Sequence, residues 1–280
     1  MSHNSSICSF SSSDSWVILS PIEQSIKIKI ESIGTPLKDW DIQINYGIKT
    51  GFNDAFIIST EKRNEILNNC ASEEERKKTD ELIRPILRGR DIKRYGYDWA
   101  DLWLINTHNG IKEKNIPRID IENYPAVKKH LDEYWDKLSK RADKGDTPYN
   151  LRNCAYMDDF SKPKLVYPET TQGAYFAYEE KCFMIDKTCF MLISENAKYL
   201  QIILSSKLFE FAYKRIFSSI ELGDNGYQYN KHALLKLPIK IPNQEDVKNL
   251  LQLEEKETDV KIFNMYSISD IEKEYILENA

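Results

Sequence analysis

The sequence predicts an α+β fold in which a mostly antiparallel mixed sheet is flanked by helices and followed by a C-terminal helical tail. Three observations support this prediction. Short apolar segments typical of strands alternate with longer segments of helical period, and the spacing between them is irregular. A third observation is the acidic composition of the last 38 residues. We therefore expect three segments, which cover residues 1–35, 36–242 and 243–280.

The first segment combines a flexible start with one linker helix. Residues 1–19 are rich in serine and are expected to be poorly ordered. Ser20, Pro21 and Glu23 form the pattern of a capping box with proline at the first helical position. Gly34 ends the predicted helix. The helix carries an apolar stripe at helical spacing, made of Ile22, Ile26, Ile30 and Ile33.

The stretch 40–58 is predicted to form a hairpin around which the rest of the chain is organised. Residues 40–48 alternate between apolar and polar, and residues 55–58 form a second apolar segment. Gly47 and Gly51 bracket the turn, where glycine permits a positive φ or the close approach of another backbone. The hairpin tip would carry polar groups that suit phosphates and base edges, namely Lys49, Thr50, Asn53 and Asp54.

Hydrophobic periodicity predicts the remaining elements. The stretch 84–94 has Gly89 between two arginines, which favours a loop or a short strand. Helices are expected at 61–68, 72–83, 125–142 and 197–217, with two more in the tail around 247–253 and 270–277. Strands are expected at 101–106, 163–167, 174–178, 188–193 and 237–241.

The net charge of −5 conceals an uneven distribution. Residues 243–280 carry ten acidic and four basic side chains, whereas the rest of the chain has a net charge of +1. The stretch 84–94 alone has five cations and one carboxylate. An acidic tail therefore accompanies a locally basic body, which permits binding to nucleic acid.

Composition also limits the cellular setting. No apolar run is long enough to span a membrane, and the first residues lack the pattern of a signal peptide. The five cysteines are odd in number and form no CxxC pair. We therefore expect a cytoplasmic protein without a disulfide framework or a structural zinc site.

Known catalytic motifs are missing from the sequence. It contains no GxGxxG or GxxxxGK[ST] phosphate loop, no GxSxG elbow and no HExxH pair. Two short triplets, 179–181 and 254–256, match the ExK part of a magnesium nuclease motif. Such triplets arise by chance in a chain with 30% charged residues. We therefore expect no catalytic residue, no metal site and no cofactor in this chain.

Two segments carry a resemblance to a known family. INYGIKTGFNDAFII at 44–58 is followed, after a charged helical spacer, by IRPILRGRDIKRY at 83–95. Together they resemble the C-terminal specificity region of type IIG restriction–modification enzymes and TaqI-like adenine-N6 DNA methyltransferases. Further similar segments follow in the same order, including KPKLVYP, YLQIILSSKL and LLKLPIKIP. The resemblance covers about residues 20–280.

The resemblance implies a function in DNA recognition without catalysis. In that family the region is a target recognition domain, which reads a short asymmetric DNA sequence and positions a methyltransferase on a flipped adenine. This sequence has no NPPY-like tetrapeptide and no FxGxG loop for S-adenosylmethionine. The implied partners are double-stranded DNA and a methyltransferase or endonuclease domain in cis or in trans. S-adenosylmethionine and magnesium would belong only to those catalytic domains.

Candidate DNA contacts follow from side-chain chemistry, and residues 36–242 would form the recognition domain. We expect cations and short polar groups in a basic cleft near the phosphates, and amide and tyrosine side chains in loops near base edges. The first group is Lys49, Thr50, Asn53, Arg88, Arg90, Lys93, Arg94, Arg141, Lys144 and Arg152. The second group is a subset of Gln172, Tyr175, Asn225, Tyr227, Gln228 and Asn230.

Two alternatives of other classes remain open at this point. The isoleucine stripe of the linker helix and the acidic tail would also suit a module that docks onto a methyltransferase or nuclease chain. A stand-alone magnesium nuclease would use one of the ExK triplets.

Overall fold

A computed structural model describes residues 19–218 and 226–280. These residues form two compact units. Unit 1 contains the described residues up to Gln43, together with Glu169–Phe176 and Ser194–Ala280, whereas unit 2 contains Ile44–Pro168 and Ala177–Ile193. The functional segments expected at 1–35, 36–242 and 243–280 have other borders and stay a prediction.

The helices of the described residues are short for the most part, and several that the sequence predicts as continuous are divided. The predicted helix 197–217 is interrupted after Leu204 and ends in a π-helical turn, Tyr213–Phe217. In chain order the helices are α1 (Pro21–Ile33), α2 (Asn53–Phe56), α3 (Thr60–Asn68), α4 (Glu73–Leu82), α5 (Pro125–Asp132), α6 (Trp135–Leu138), α7 (Ala197–Leu204), α8 (Lys207–Ala212), α9 (Lys231–Lys236), α10 (Gln244–Leu251), α11 (Glu255–Met265) and α12 (Asp270–Asn279).

The strands are also short, and most of their pairings are antiparallel. In chain order they are β1 (Thr35–Pro36), β2 (Gln43–Tyr46), β3 (Ile57–Ser59), β4 (Ile83–Leu87), β5 (Ile92–Lys93), β6 (Gly96–Tyr97), β7 (Leu102–Ile105), β8 (Lys164–Pro168), β9 (Thr170–Thr171), β10 (Ala177–Glu179), β11 (Met184–Ile185), β12 (Cys189–Ile193), β13 (Tyr227–Gln228) and β14 (Pro238–Ile239).

Unit 2 contains two four-stranded sheets within the described residues. One has the strand order β10-β8-β12-β2, and the other has the order β11-β4-β7-β3. Only β11 pairs in parallel, with β4, among the register pairs of the second sheet. Strand β8 lies between β10 and β12 and is buried along its whole length, which indicates that both faces of the sheet are covered there. These mixed, largely antiparallel sheets with surrounding helices confirm the predicted α+β class.

The predicted hairpin 40–58 is wrong, although both of its strands exist. Strand β2 pairs with β12 and β3 pairs with β7, so the two strands belong to different sheets. The segment between them is not a free turn: Thr50 is buried, and Asn53 begins α2. Alternating apolar residues identified the strands, but a strand's partner depends on distant residues that local periodicity does not encode.

The linker helix forms as predicted, and its apolar stripe packs inside unit 1. Ser20 accepts a hydrogen bond from the Glu23 amide, and the Glu23 carboxylate accepts one from the Ser20 amide at 2.7 Å. Ile26 and Ile30 have no exposed surface. Ile22 and Ile33 at the two ends of the stripe are half-buried. The centre of the stripe is therefore used within the fold, which weakens the observation that suggested a docking helix.

The acidic tail forms three helices, α10, α11 and α12, where the sequence predicts two. Helix α12 is tied to α1 through Glu272, which accepts hydrogen bonds from Lys29 at 2.5 Å and from Ser25 at 2.7 Å. The two ends of the described chain are therefore joined within unit 1. No helix among the described residues has the length and apolar character needed to cross a membrane.

Candidate nucleic-acid interface

A tight turn at Asp186–Thr188 lies between two of the predicted basic segments. On one side, the Ile48 amide donates to the Ile185 carbonyl at 2.8 Å, and the Gly47 backbone packs directly on Asp186. A Cβ atom at Gly47 would lie 1.8 Å from the Asp186 carbonyl oxygen, so only glycine fits there. This close approach brings Lys49 next to the turn.

The other side of the same turn holds the loop that carries Arg90. The Gly89 amide donates to the Thr188 hydroxyl at 2.8 Å. The Asp186 carboxylate accepts hydrogen bonds from the Thr188 hydroxyl and, at 3.0 Å, from the Thr188 amide. Burial raises the pKa of Asp186, while these two hydrogen bonds act in the opposite direction. The turn therefore has a fixed geometry, and Lys187 is exposed at its tip.

A buried ion pair fixes the loop around Arg90. Asp91 is 4% exposed and accepts from the Arg88 amide at 2.8 Å and from two guanidinium nitrogens of Arg88 at 2.9 and 3.1 Å. The hydrogen bonds to Asp91 raise the pKa of Arg88. Arg88 is therefore an anchor, whereas Arg90 is exposed at the end of a rigid turn.

The segment after Lys49 is joined to the loop 141–152 by a buried guanidinium. Arg141 donates to the Thr50 carbonyl, to the Asp143 carbonyl at 2.9 Å, to the Pro148 carbonyl at 3.0 Å and to the Asn150 carbonyl at 2.5 Å. Its guanidinium carbon also lies 4.5 Å from the centre of the Phe56 ring. Burial lowers the pKa of Arg141 to about 10, so the side chain stays protonated at neutral pH.

The loop 141–152 presents Lys144 and Arg152 to solvent. Lys144 donates to the Ser139 carbonyl at 2.8 Å, and Arg152 pairs with Asp143 at 3.2 Å in an exposed ion pair of small energetic value. The backbone beneath them is held by buried asparagines: Asn150, for example, donates to the Ile119 carbonyl at 2.8 Å.

Contacts thus run without a break from Arg90, through the Asp186–Thr188 turn and the segment 47–51, to Lys144. We call the exposed cations of these segments the basic cluster, which consists of Lys49, Arg90, Lys144, Arg152 and Lys187. All of them belong to unit 2. Loops that are fixed by buried hydrogen bonds and carry several exposed cations can bind the phosphates of a nucleic-acid backbone.

The described members of the predicted base-reading group lie in unit 1 instead, where β9 and β13 pair side by side. Gln172 follows β9 and is exposed. Tyr175 packs its ring over Gly173, and Gln228 donates from its amide to Glu169 at 3.0 Å. Asn230 caps α9 by accepting from the Ala233 amide at 2.7 Å. The structure therefore brings the segments 169–176 and 227–230 together.

A cluster of buried tyrosines supports this second group. The Tyr213 hydroxyl donates to the Gln228 carbonyl at 2.6 Å and accepts from the Asn230 amide at 3.1 Å. The Tyr227 and Tyr229 hydroxyls lie 3.4 Å apart, and the two rings pack edge to face. Burial raises the pKa of Tyr213 to about 12, and burial also raises the pKa of Tyr227. These tyrosines remain neutral and fix the position of the segment 227–230.

Comparison with known proteins assigns the chain to a family. The family model of the TaqI-like C-terminal specificity domain matches residues 84–239, which is more than half of the chain. The chain belongs to this family. The match covers the Arg90 loop, the loop 141–152 and both segments of the second group.

Two solved structures share the fold of this specificity domain. One is the type IIL restriction-modification enzyme MmeI in complex with DNA, with 13% identity and a TM-score of 0.57 over 88% of this chain. The other is the type IIG restriction endonuclease BpuSI, with 15% identity and a TM-score of 0.53 over 87% of this chain. The chain spans 36% of the length of the first and 28% of the second.

The structure of the specificity domain divides the predicted contact residues by exposure. Lys49, Asn53, Arg90, Lys93, Lys144, Arg152 and Gln172 are exposed, and Arg88, Arg94, Tyr175, Gln228 and Asn230 are half-buried. Thr50, Arg141 and Tyr227 are buried, and this corrects their expected role: their side chains hold the protein together and do not face solvent. Asn225 lies outside the described residues.

Sequence reasoning missed Lys187. It lies between the buried strands β11 and β12, in a segment where an aspartate is followed two residues later by a threonine. That spacing is typical of a turn closed by the aspartate side chain, so it signals an exposed residue between the two. The signal does not show that the turn lies beside Gly47 and Gly89.

The first ExK triplet has a structural role in the specificity domain. Glu179 and Lys164 form an ion pair, and neither side chain has any exposed surface. The Lys164 ammonium also donates to the Phe160 carbonyl at 2.8 Å, and the Lys181 amide donates to Glu179. This carboxylate is therefore occupied by an internal cation, which argues against the nuclease alternative at residues 179–181.

Proposed function

We propose that this chain is a sequence-specific DNA target recognition module of a restriction–modification system. In this proposal it positions a methyltransferase or endonuclease that is not part of this sequence. The observation that carries the proposal is the basic cluster. Its five cations come from four separate segments, and buried hydrogen bonds fix the backbone of each segment.

The chemistry of the basic cluster favours phosphate over protein partners. Arg90 and Lys187 project from turns that are closed by the carboxylates of Asp91 and Asp186, and these carboxylates are buried beneath the turns. At these two turns the cation is therefore exposed while the carboxylate that closes the turn is buried. A polyanion that approaches this surface meets positive charge first, and binding releases the counterions of its phosphates.

Base readout in this proposal falls to the segments 169–176 and 227–230. Gln172 has an exposed amide, which can pair with both hydrogen-bonding groups of adenine in the major groove. Tyr175 offers a half-exposed ring for contact with a base or a sugar. The buried tyrosines beneath provide a rigid support, so that exposed residues here can vary without loss of the fold.

The proposal is tested by binding the purified chain to a library of randomised duplex DNA and sequencing the bound fraction. We expect enrichment of a short asymmetric motif. The double variant Arg90→Ala/Lys187→Ala should bind all sequences more weakly and lower the salt slope by about 2, because each lost phosphate contact contributes about 0.9. Gln172→Ala should relax selection at one or two positions of the motif, with the remaining positions unchanged.

A matched control removes the same charge elsewhere in unit 2. Lys77 and Lys129 are exposed on α4 and α5, outside the basic cluster. The double variant Lys77→Ala/Lys129→Ala should keep the wild-type salt slope within about 0.5. Equal losses in the two double variants would show non-specific attraction only, and the absence of any enriched motif would contradict sequence-specific recognition.

The positioning role has a separate test. An adenine-N6 methyltransferase chain that lacks its own specificity region is assayed with and without this chain on plasmid DNA. We expect methylation to concentrate at the motif found in the binding experiment. Unchanged methylation in the presence of a chain that binds its motif would contradict positioning while leaving recognition intact.

A further inference from the structure

We infer that Arg141 is a positioning residue, which aligns the segment 49–53 and the loop 141–152 so that their cations engage one DNA backbone together. This inference rests on the proposed function and deepens it. Arg141 was expected from sequence to touch phosphate itself, but its side chain is 7% exposed and faces the protein.

The hydrogen bonds of Arg141 connect two segments that are about 90 residues apart in sequence. One nitrogen of the guanidinium donates to both the Thr50 and the Asp143 carbonyls, and the other donates to the Pro148 and Asn150 carbonyls. A planar fork with fixed donor directions suits four carbonyls better than a flexible ammonium does. One side chain therefore bonds to both segments and restricts their relative position.

The partners of this cation are also unusual in kind. Each of its four hydrogen-bond acceptors is a backbone carbonyl, and the stacking Phe56 ring is uncharged. A buried cation is normally placed opposite a carboxylate, which would offset its charge. Carbonyl oxygens satisfy the two terminal nitrogens here, whereas Nε is buried without a hydrogen-bond partner. The nearby Asp143 carboxylate acts on the guanidinium through its charge.

A second contact joins the segment 49–53 to the loop 141–152 independently of Arg141. We call the boundary between these two segments the seam. Gly51 adopts a φ of +70°, and a Cβ atom there would lie 2.6 Å from the Asp143 carbonyl oxygen. The backbone of the segment 49–53 therefore rests directly on the loop that carries Lys144. Glycine is required both by the conformation and by the close approach.

The test compares three variants with the wild type on a mixed-sequence duplex of about 25 base pairs, across 50–300 mM salt. Arg141→Met removes the fork, Arg141→Lys keeps the charge without the fork, and Gly51→Ala opens the seam while every cation stays. All titrations are made well below each variant's unfolding transition. Lys164→Met is the control, because it disturbs a buried cation of unit 2 away from the seam.

We expect Arg141→Met and Gly51→Ala to lower the salt slope by about 2 and the affinity at 100 mM salt by roughly tenfold or more, since two phosphate contacts are lost. Arg141→Lys should restore only part of the slope. Lys164→Met, measured while folded, should keep the wild-type slope. A purely structural role for Arg141 would lower the unfolding midpoint but leave the slope of the folded protein unchanged.

The failure of this inference is distinguishable from that of the proposed function. If the wild-type chain shows no salt-dependent binding, the proposed function is wrong. If the wild type binds DNA, and the folded variant Arg141→Met or Gly51→Ala shows the same salt slope as the wild type, the positioning role is wrong. Where Arg141→Met does not fold, Gly51→Ala and Arg141→Lys decide the matter by the same comparison.

Discussion

Replacing Lys164 with methionine isolates the energetic role of the buried pair in unit 2. Methionine keeps an unbranched side chain in the same space but removes the ammonium, so Glu179 remains in the interior without its cation. Burial already lowers the pKa of Lys164, and the charge and hydrogen bond of Glu179 are the largest effects that oppose it. Removing one partner from such a pair typically lowers the free energy of unfolding by about 3–5 kcal/mol.

The assay is urea unfolding followed by tryptophan fluorescence, which reports mainly on unit 2 because Trp99, Trp103 and Trp135 all belong to it. With a urea dependence of about 2 kcal/mol per M, the expected loss shifts the midpoint down by about 2 M. The control is Lys181→Met, an exposed lysine of the same triplet, which should change the free energy of unfolding by less than about 0.5 kcal/mol.

The double variant Lys164→Met/Glu179→Leu completes the experiment. Because it removes both buried charges together, it should recover most of the stability that the single variant loses. A single variant within about 1 kcal/mol of the wild type, or a double variant no more stable than the single one, would refute the reasoning. Either result would also reopen a functional role for Glu179.

Three further changes test other parts of the structure. Burial alone would raise the pKa of Glu272, but hydrogen bonds from Lys29 and two serines hold it at about 2. Ionised Glu272 therefore stabilises the fold above pH 4.5, by on the order of 2 kcal/mol, and this contribution is lost as pH falls toward 2. Glu272→Gln should flatten that acid dependence in thermal unfolding, and an unaltered profile would contradict it. Gly47→Ala forces a Cβ atom against the Asp186 backbone and should lower the free energy of unfolding by about 3 kcal/mol in urea, whereas an unchanged midpoint would contradict the close approach. Tyr213→Phe leaves two backbone partners unpaired and should lower the free energy of unfolding, measured by calorimetry, by about 1–3 kcal/mol. An unchanged free energy of unfolding would argue against the hydrogen bonds of the Tyr213 hydroxyl.

Local structure can be predicted from the sequence more directly than contacts between residues that are distant in the sequence. The capping box at Ser20 and Glu23 depends on residues three positions apart, so the start of α1 could be predicted. The partners of β2 and β3 could not, because each strand pairs with residues more than 40 positions away. Short β strands leave register to tertiary packing, which a periodic pattern does not reveal.

The same limit applies to the candidate site. Lys49, Arg90 and Lys144 could be predicted as exposed cations because lysine and arginine are seldom buried. Arg141 follows the same rule in sequence but is buried, since four carbonyls happen to surround it in the fold. Gly47 signalled a close approach of another backbone, and the structure supplies its identity as Asp186.

The most direct test of DNA recognition by the basic cluster is a salt titration of binding between the purified chain and a short duplex. Five exposed cations, each contacting one phosphate, predict that the logarithm of the binding constant falls with the logarithm of salt concentration with a slope of about −4.5. A slope near zero, or an affinity that stays unchanged when Arg90 and Lys187 are replaced by alanine, would contradict the account.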